Sequence, residues 1–333
     1  MNTYITLKNL PKTLCGRSIF VGEALCLDWT LSGFSCTLSA DIAVLHFGEL
    51  PSTIQPIYIE VTLDGVTTKH AMIGAGQKIV LHLADAFSQD VHILRVRRLS
   101  EGDQPLLIEG ITLYGENAVV LAPPSAPALR IEYIGDSITC GYGNLGDSDT
   151  HEFLTWQEDP TRTYAGLSAK LLGADIRIAA ISGQGIVRNC RGELGTPIPD
   201  FFHWASRHYR EEVDFAAWQP HVVVINAGTN DNGGQVSDED FGEYADRFLT
   251  AVRSAYPDAQ IIWAYGMMGL RYDAVLSALI EKRRETDDKI TYLPIAPVRH
   301  EDGEIGVGGH PNVKGHTRAA KILAKEIKKL LKN

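Results

Sequence analysis

Residues 130–139 have the sequence RIEYIGDSIT, an apolar run that stops at Gly135 and is followed at once by Asp136 and Ser137. A short apolar run bounded by a glycine and polar residues is typical of a buried strand in a parallel sheet. In an open α/β sheet, ligands bind beyond the carboxyl ends of the strands. The stretch therefore predicts an α/β fold with Ser137 at the functional edge of the sheet.

The chain beyond this stretch repeats the pattern. Further buried strands are expected at 176–180, 222–227, 261–265 and 290–293. Ser237 and Asp240 resemble a capping box in front of an amphipathic helix, and 316–331 has apolar residues at helical spacing with its lysines on the other face. Strands that alternate with helices indicate a parallel sheet covered by helices.

Residues 19–114 have a different pattern. Alternating apolar residues, as at Leu25, Leu27 and Trp29, predict half-buried strands, and Asp64-Gly65 is a pair that tight hairpins prefer. Short strands at this spacing predict a β-sandwich or jelly roll. The prolines of NAVVLAPPSAPAL, which begins at residue 117, favour an irregular connector. The expected organisation is a β domain at 1–120, a linker at 121–129 and a second domain at 130–333.

Composition limits the partners and the compartment. The chain of 333 residues has a formal net charge of -10, which would repel a phosphate backbone, so nucleic acid is not an expected partner. It has neither a long apolar segment nor the features of a signal peptide, so we expect a cytoplasmic protein without membrane contact. The five cysteines are odd in number and show no CxxC spacing, which predicts free thiols.

Three more segments place polar groups near Ser137. Gly183 in SGQG and Asn230 in GTND follow the predicted strands at 176–180 and 222–227, and His310 in GGHPN precedes the last helix. A serine hydroxyl is a weak nucleophile unless a base such as histidine takes its proton, and the oxyanion that forms needs N–H donors. A serine after a strand is often only a helix N-cap, which is the alternative for Ser137 alone.

These segments together resemble the four blocks of the SGNH (GDSL-like) hydrolases: GDSIT, SGQG, GTND and HPN occur in that order. The resemblance implies a three-layer domain with a flavodoxin-like parallel sheet. It also implies Ser137 as nucleophile and His310 as base. The oxyanion hole would consist of Ser137, Gly183 and Asn230. The longer GDSITCGYG, the GMMG beginning at Gly266 and the preceding β domain resemble carbohydrate esterase family 2 acetyl esterases.

One position departs from this pattern. The usual carboxylate three residues before the histidine is replaced by Val307. Either Ser137 and His310 act as a dyad, with a backbone carbonyl that orients the imidazole, or Asp302 or Glu304 reaches it from the preceding turn. In a dyad, another group must replace the orienting role of the carboxylate.

Aromatic residues are candidates for the substrate cleft, because sugars are recognised by aromatic faces and polar rims. The candidates are Tyr142, Trp156, Trp204 and Trp263. The alternative is that such residues only anchor a loop. No metal and no cofactor are expected, since His310 and His316 lack a third ligand. Asp136, Asp231 and Cys140 are expected to have structural roles.

The resemblance implies a serine esterase that removes O-acetyl groups from acetylated xylan-, mannan- or related oligosaccharides. A lipid or acyl-thioester esterase is the alternative within the same class, since one catalytic set serves many acyl groups. From another class, the chain would be an inactive carbohydrate-binding protein. The oligomeric state is not readable from the sequence.

Overall fold

The computed structural model describes residues 2–50, 53–74, 76–84 and 90–332. The chain forms two compact units. The first extends to Ala126 and also contains Ala205–Tyr209, and the second contains Pro127–Trp204 and the chain from Arg210 onward. The division after Ala126 falls inside the predicted linker at 121–129. The predicted second domain at 130–333 includes 205–209, because nothing in the local sequence pattern distinguishes this segment.

The first unit is built from antiparallel strands in two sheets. Its strands are β1 (Asn2–Thr6), β2 (Thr13–Cys15), β3 (Ile19–Val21), β4 (Ala24–Leu27), β5 (Gly33–Ser39), β6 (Ile42–Phe47), β7 (Ile57–Leu63), β8 (Val66–Met72), β9 (Lys78–His82), β10 (His92–Arg98), β11 (Leu106–Tyr114) and β12 (Val119–Leu121). One sheet has the order β3-β4-β11-β6-β9 with β1 paired to β11, and the other has the order β12-β5-β10-β7-β8 with β2 paired to β5.

The inner faces of these sheets bury alternating apolar residues, as the sequence pattern predicted. Along β10, for example, Leu94 and Val96 are fully buried, whereas Ile93, which precedes Leu94, is exposed. The Asp64-Gly65 hairpin joins β7 to β8 with φ angles of 49° and 86°, as a tight turn of this kind requires. The predicted β-sandwich is confirmed.

Strand β12 forms within the segment that the sequence predicted to be an irregular connector. Val119–Leu121 pairs with β5 in antiparallel register, although sequence reasoning expected an irregular connector from residue 117. The physical reason is that the first proline is Pro123, so the three residues of β12 all keep their N–H groups for pairing.

The segment Ala205–Tyr209 is fixed to the first unit by a buried carboxylate. Asp28 accepts hydrogen bonds from Ser206 Oγ at 2.5 Å and from the His208 amide at 2.9 Å, and its Oδ1 lies 2.5 Å from His208 Nδ1. Trp29 Nε1 donates to the Ala205 carbonyl at 3.0 Å. Side-chain hydrogen bonds and nearby cations lower the pKa of Asp28 to about 2 despite its burial.

The second unit contains a parallel sheet with helices around it. Its strands are β13 (Arg130–Gly135), β14 (Asp175–Ala180), β15 (Val222–Asn226), β16 (Gln260–Gly266) and β17 (Ile290–Ile295). Its helices are α1 (Ser137–Cys140), α2 (Tyr164–Leu172), α3 (Ile198–Phe201), α4 (Thr229–Gly233), α5 (Asp238–Ala255), α6 (Asp273–Arg283) and α7 (Val313–Leu330).

The strand order of this sheet is β14-β13-β15-β16-β17, and every neighbouring pair is parallel. This is the flavodoxin-like order, and the three-layer α/β fold is confirmed. The order reverses at β13, so chain segments after β13, β14 and β15 meet at one edge of the sheet. Ser137 follows β13, and the fold therefore brings it to the predicted position.

Side-chain caps define the helix starts. Ser237 Oγ accepts from the Asp240 amide at 3.0 Å, as the capping pattern predicted. Helix α7 begins at Val313 rather than near His316, because Asn312 Oδ1 accepts from the two amides of Lys314 and Gly315. Within the described ranges, no helix has the length and apolar character needed to cross a membrane. The five cysteines, all of them in described segments, form no disulfide bond.

Candidate active site

Ser137 is held at the sheet edge by a tight turn. Gly135 ends β13, and a Cβ there would lie 2.2 Å from Thr139 Oγ1, so only glycine fits. Asp136 caps helix α1 by accepting from the Ile138 amide at 3.0 Å. Ser137 is the first residue of α1, where a backbone N–H has no partner within the helix. The turn therefore presents both a hydroxyl and an amide of the same residue.

His310 faces this hydroxyl. Its Nε2 lies 2.9 Å from Ser137 Oγ, which is hydrogen-bonding distance. The imidazole follows a 3₁₀ turn at Val307–Gly309, and the His310 amide donates to the Val307 carbonyl at 3.1 Å. Gly308 and Gly309 have φ angles of 59° and 79°, which side chains rarely adopt. The turn thus fixes the histidine opposite the serine.

Within the described ranges, the other ring nitrogen has no carboxylate partner. Among the residues that the structure describes, no hydrogen bond of normal geometry reaches the buried His310 Nδ1. The carbonyls of Val307 and Gly308 act on the ring and raise its pKa, but burial lowers the pKa more, and the net shift is downward. The imidazole is therefore neutral near pH 7 and able to accept a proton.

The two carboxylates considered from the sequence are engaged elsewhere. Asp302 Oδ2 lies 2.6 Å from Arg299 Nη2, and Glu304 Oε1 accepts from Arg318 Nε at 2.8 Å. The alternative that one of them orients His310 finds no support in these contacts, because each carboxylate is paired with an arginine. Of the two sequence hypotheses, the geometry agrees with the dyad.

Val307, at the position of the missing carboxylate, is packed against the loop that follows α1. A Cβ at Gly143 would lie 2.5 Å from Val307 Cβ, and one at Gly146 would lie 2.3 Å from Val307 Cγ2. The Val307 amide also donates to the Gly143 carbonyl at 3.2 Å. Close packing of Val307, rather than an ion pair, therefore holds the 3₁₀ turn that precedes His310 in place.

The predicted oxyanion donors lie on the loops after β14 and β15. Gly183 has a φ of 78°, and its carbonyl accepts from the Cys190 amide at 2.9 Å. Asn230 is 7% exposed, and its Nδ2 donates to Asp136 Oδ2 at 3.1 Å and to the Gln184 carbonyl at 2.8 Å. Both hydrogens of this amide are thus engaged within the protein. An oxyanion role for Asn230 requires that one of them is shared.

Asp231 fixes the loop that carries Gly183. Its carboxylate accepts from the amides of Ile186 at 2.9 Å, Val187 at 2.7 Å and Arg188 at 3.1 Å. Burial raises the pKa of Asp231, and the three amides oppose this shift. Sequence reasoning expected only a local turn or cap here, because hydrogen bonds to residues more than forty positions away leave no local pattern.

The four candidate aromatic residues have different surroundings. Tyr142 lies at the site, with its ring centroid 4.6 Å from that of His310. Trp156 is 45% exposed in a 3₁₀ turn of the same loop, and the guanidinium of Arg210 lies over the Trp204 ring. Trp263 is fully buried and donates to the Ala227 carbonyl. The expectation for Trp263 is wrong, because it lies within an apolar strand and packs in the core.

Three further residues lie near the site: His316, Cys140 and Phe153. His316 Nδ1 accepts a hydrogen bond from the Tyr164 amide at 3.1 Å, so this nitrogen is not available to a metal ion. Burial lowers the pKa of His316 to about 3. Cys140 is fully buried. Phe153, which stacks on Tyr142 with centroids 3.8 Å apart, was not found from the sequence, because no spacing rule links it to the site.

Comparison with known proteins gives a consistent set of similarities. Residues 133–318 match the GDSL-like Lipase/Acylhydrolase family. The chain is 34% identical over 221 residues to the cellulase/esterase CelE of Acetivibrio thermocellus, a match that covers 64% of this chain and 27% of that protein. It thus spans about a quarter of the length of that relative. An acetylxylan esterase / glucomannan deacetylase of Cellvibrio japonicus is 23% identical over 291 residues, with 85% of this chain and 79% of that protein covered.

Solved structures extend the similarity to both units. A family two carbohydrate esterase from Clostridium thermocellum in complex with cellohexaose superposes with a TM-score of 0.87 and 26% identity, covering 96% of this chain and 99% of the other. An acetyl xylan esterase from Butyrivibrio proteoclasticus gives a TM-score of 0.88 over 99% of both chains at 21% identity, a likeness that concerns the fold.

Proposed function

The chain belongs to the GDSL-like lipase/acylhydrolase family, and from this premise we propose that it is a serine esterase that removes O-acetyl groups from carbohydrate. One observation carries the proposal: His310 Nε2 lies 2.9 Å from Ser137 Oγ. At this distance the imidazole takes the hydroxyl proton as the oxygen attacks an ester carbonyl. The downward shift of the His310 pKa keeps the ring neutral for this step.

The reaction follows from these groups. Ser137 Oγ forms a bond to the acetyl carbon while its proton passes to His310 Nε2. The Ser137 and Gly183 amides, with a shared hydrogen of Asn230, stabilise the oxyanion. The tetrahedral intermediate then expels the sugar oxygen, which receives the proton from His310. Water, deprotonated by the same histidine, attacks the acetyl-enzyme, and acetate leaves with Ser137 restored.

The carbohydrate part of the proposal rests on the relatives. Two of them are an acetylxylan esterase / glucomannan deacetylase and a family two carbohydrate esterase solved with cellohexaose. We therefore assign acetylated xylo-, manno- or related oligosaccharides as the substrate class.

The test is acetate release from acetylated xylo- and manno-oligosaccharides, followed by mass spectrometry. We expect wild-type turnover to fall by about 10⁴-fold or more in Ser137→Ala and in His310→Ala, since the two residues act as a unit. Ser148→Ala is the matched control, because the Ser148 hydroxyl donates to Asp149 in the loop after α1. Its activity should equal that of the wild type. Wild-type protein that releases no acetate from either substrate would contradict the proposal.

A series of 4-nitrophenyl esters separates the remaining alternatives. A carbohydrate acetylesterase should prefer the acetate ester over long acyl chains. A preference for long chains would indicate a lipid or thioester esterase. Absence of turnover in the wild type, together with binding of oligosaccharide, would indicate an inactive binding protein.

A further inference from the structure

The surroundings of His310 leave one requirement of the proposed reaction unmet. When the imidazole takes the proton of Ser137 it becomes a buried cation, and burial already lowers its pKa. In serine hydrolases with a triad, a carboxylate orients the ring and stabilises this cation. Here Val307 stands at the usual position, and Asp302 and Glu304 are paired with Arg299 and Arg318. The carbonyls of Val307 and Gly308 raise the pKa of the ring, but less than burial lowers it, so the imidazolium requires a further stabilising group.

A pair of stacked aromatic rings lies against the imidazole. The Tyr142 ring centroid is 4.6 Å from that of His310 with an interplanar angle of 38°. On its own other side, Tyr142 stacks on Phe153 with centroids 3.8 Å apart and an angle of 16°. An aromatic face within about 6 Å attracts a cation through the ring quadrupole, and more strongly when water is excluded.

The backbone fixes Tyr142 relative to both catalytic groups. Its amide donates to the Ser137 carbonyl at 3.0 Å, which ties the ring to the turn of the nucleophile. The next residue, Gly143, accepts from the Val307 amide at 3.2 Å and so joins the same loop to the histidine turn. The ring is therefore built into the connection between Ser137 and His310.

We propose that Tyr142, supported by Phe153, is a positioning residue whose ring face orients His310 and stabilises its imidazolium in place of the missing carboxylate. The proposal rests on the function assigned above, because it concerns the proton that passes from Ser137 to His310. It differs from the role considered from the sequence, in which Tyr142 contacts sugar. The charge of the nearby His316 does not enter, since its pKa of about 3 keeps it neutral under assay conditions.

The experiment changes the ring quadrupole and leaves the shape nearly constant. Phenylalanine and its di-, tri- and pentafluorinated forms are introduced at position 142 of the full chain. The pKa of His310 is followed by NMR. The values of kcat and KM are measured with 4-nitrophenyl acetate, which has no sugar, and with acetylated oligosaccharides. We expect Tyr142→Phe to retain activity within about threefold. Along the fluorinated series, kcat/KM should fall about 3- to 30-fold, and the pKa of His310 should fall by about 0.5 to 1.5.

Two controls test whether these effects depend on the aromatic ring at position 142. The same substitutions at Tyr244, an exposed residue of α5, should leave both quantities unchanged. Tyr142→Leu should lose at least as much activity as the pentafluorinated form, since it fills space without a ring face.

Three results would overturn the proposal. The first is a His310 pKa that stays constant along the fluorinated series. The second is an effect confined to KM for acetylated oligosaccharides, as a sugar platform would give. The third is a large loss of activity in Tyr142→Phe, which would assign the role to the hydroxyl. The NMR titration needs no turnover, so it remains decisive even if the wild type releases no acetate from carbohydrate.

Discussion

Substitution of Asp231 by asparagine tests how the loop after β14 is held beside Ser137. The Asp231 Oδ1 accepts from the amides of Val187 and Arg188, and Oδ2 accepts from the amide of Ile186. A Cβ at Gly185 would lie 2.5 Å from Asp231 Oδ2, so the loop is packed directly on the carboxylate. The asparagine oxygen can retain two of these bonds, but its NH₂ group then faces the third amide.

The number of amide hydrogen bonds that the asparagine loses sets the expected loss of stability. A hydrogen bond to a charged group contributes about 1.5–3 kcal/mol, and a buried N–H left without an acceptor carries a similar cost. Asp231→Asn should therefore lower the free energy of unfolding by about 2–3 kcal/mol. Complete loss of one oxyanion donor typically costs about 10²–10³ in kcat. Because the loop shifts rather than disappears, we expect Gly183 to be misplaced and kcat to fall about 10- to 100-fold.

The assay combines urea unfolding with kcat for 4-nitrophenyl acetate. Asp214→Asn is the matched control, because Asp214 is exposed and accepts from the two amides of Ala216 and Ala217. It should change neither quantity measurably. A variant Asp231→Asn that loses stability but keeps kcat within twofold would refute the reasoning, since the loop would then reach its position without the carboxylate.

Three further outcomes are expected. The kcat/KM for acetate release should fall at acidic pH with an apparent pKa below 6.5, because burial lowers the pKa of His310 and only the neutral ring accepts the proton. A pH–rate profile with a midpoint above 6.5 would contradict this. His316 has a folded-state pKa of about 3 and is protonated on unfolding below pH 6.5, so the free energy of unfolding falls as the pH falls. The variant His316→Asn keeps an acceptor for the Tyr164 amide but does not titrate, so its loss of unfolding free energy between pH 8 and pH 5 should be about 2 kcal/mol smaller than that of the wild type. Equal losses in urea titrations of the two proteins would exclude this role. Val307→Asp should not create a triad, because the side chain at this position packs against Gly143. We expect the free energy of unfolding to fall by roughly 3 kcal/mol and kcat not to rise. A higher kcat would show that the new carboxylate reaches the imidazole.

Much of the fold was predictable because its signals are local. The strands of the parallel sheet are short and largely apolar, and strands of the sandwich such as β10 alternate buried residues with more exposed ones. The order of the strands followed from the resemblance to the SGNH hydrolases and to carbohydrate esterase family 2, and both the resemblance and the order are confirmed. Strand β12 was missed, since its pairing with β5 depends on a partner about eighty residues away.

The site was predictable where the sheet edge determines it. Ser137 and Asn230 follow adjacent strands, and the 2.9 Å contact of Ser137 with His310 agrees with the expected pairing of these two residues, although the catalytic roles stay predictions. The bonds of Asn230 to Asp136 and Gln184 were not predictable, since they depend on side-chain rotamers. For Trp263 a signal existed: it lies within the apolar run of β16, where a core position is the ordinary outcome.

The bond network of Asp28 has a consequence for biosynthesis. The ribosome delivers residues 1–126 long before Ser206 and His208 emerge, yet the buried Asp28 obtains hydrogen bonds from both. The N-terminal unit is thus discontinuous in the chain, and we expect it to remain protease-sensitive in nascent chains that end near residue 126. It should become resistant once the exit tunnel has released residues beyond 209, and equal resistance of ribosome-bound chains of both lengths would show that the β unit matures without its late segment.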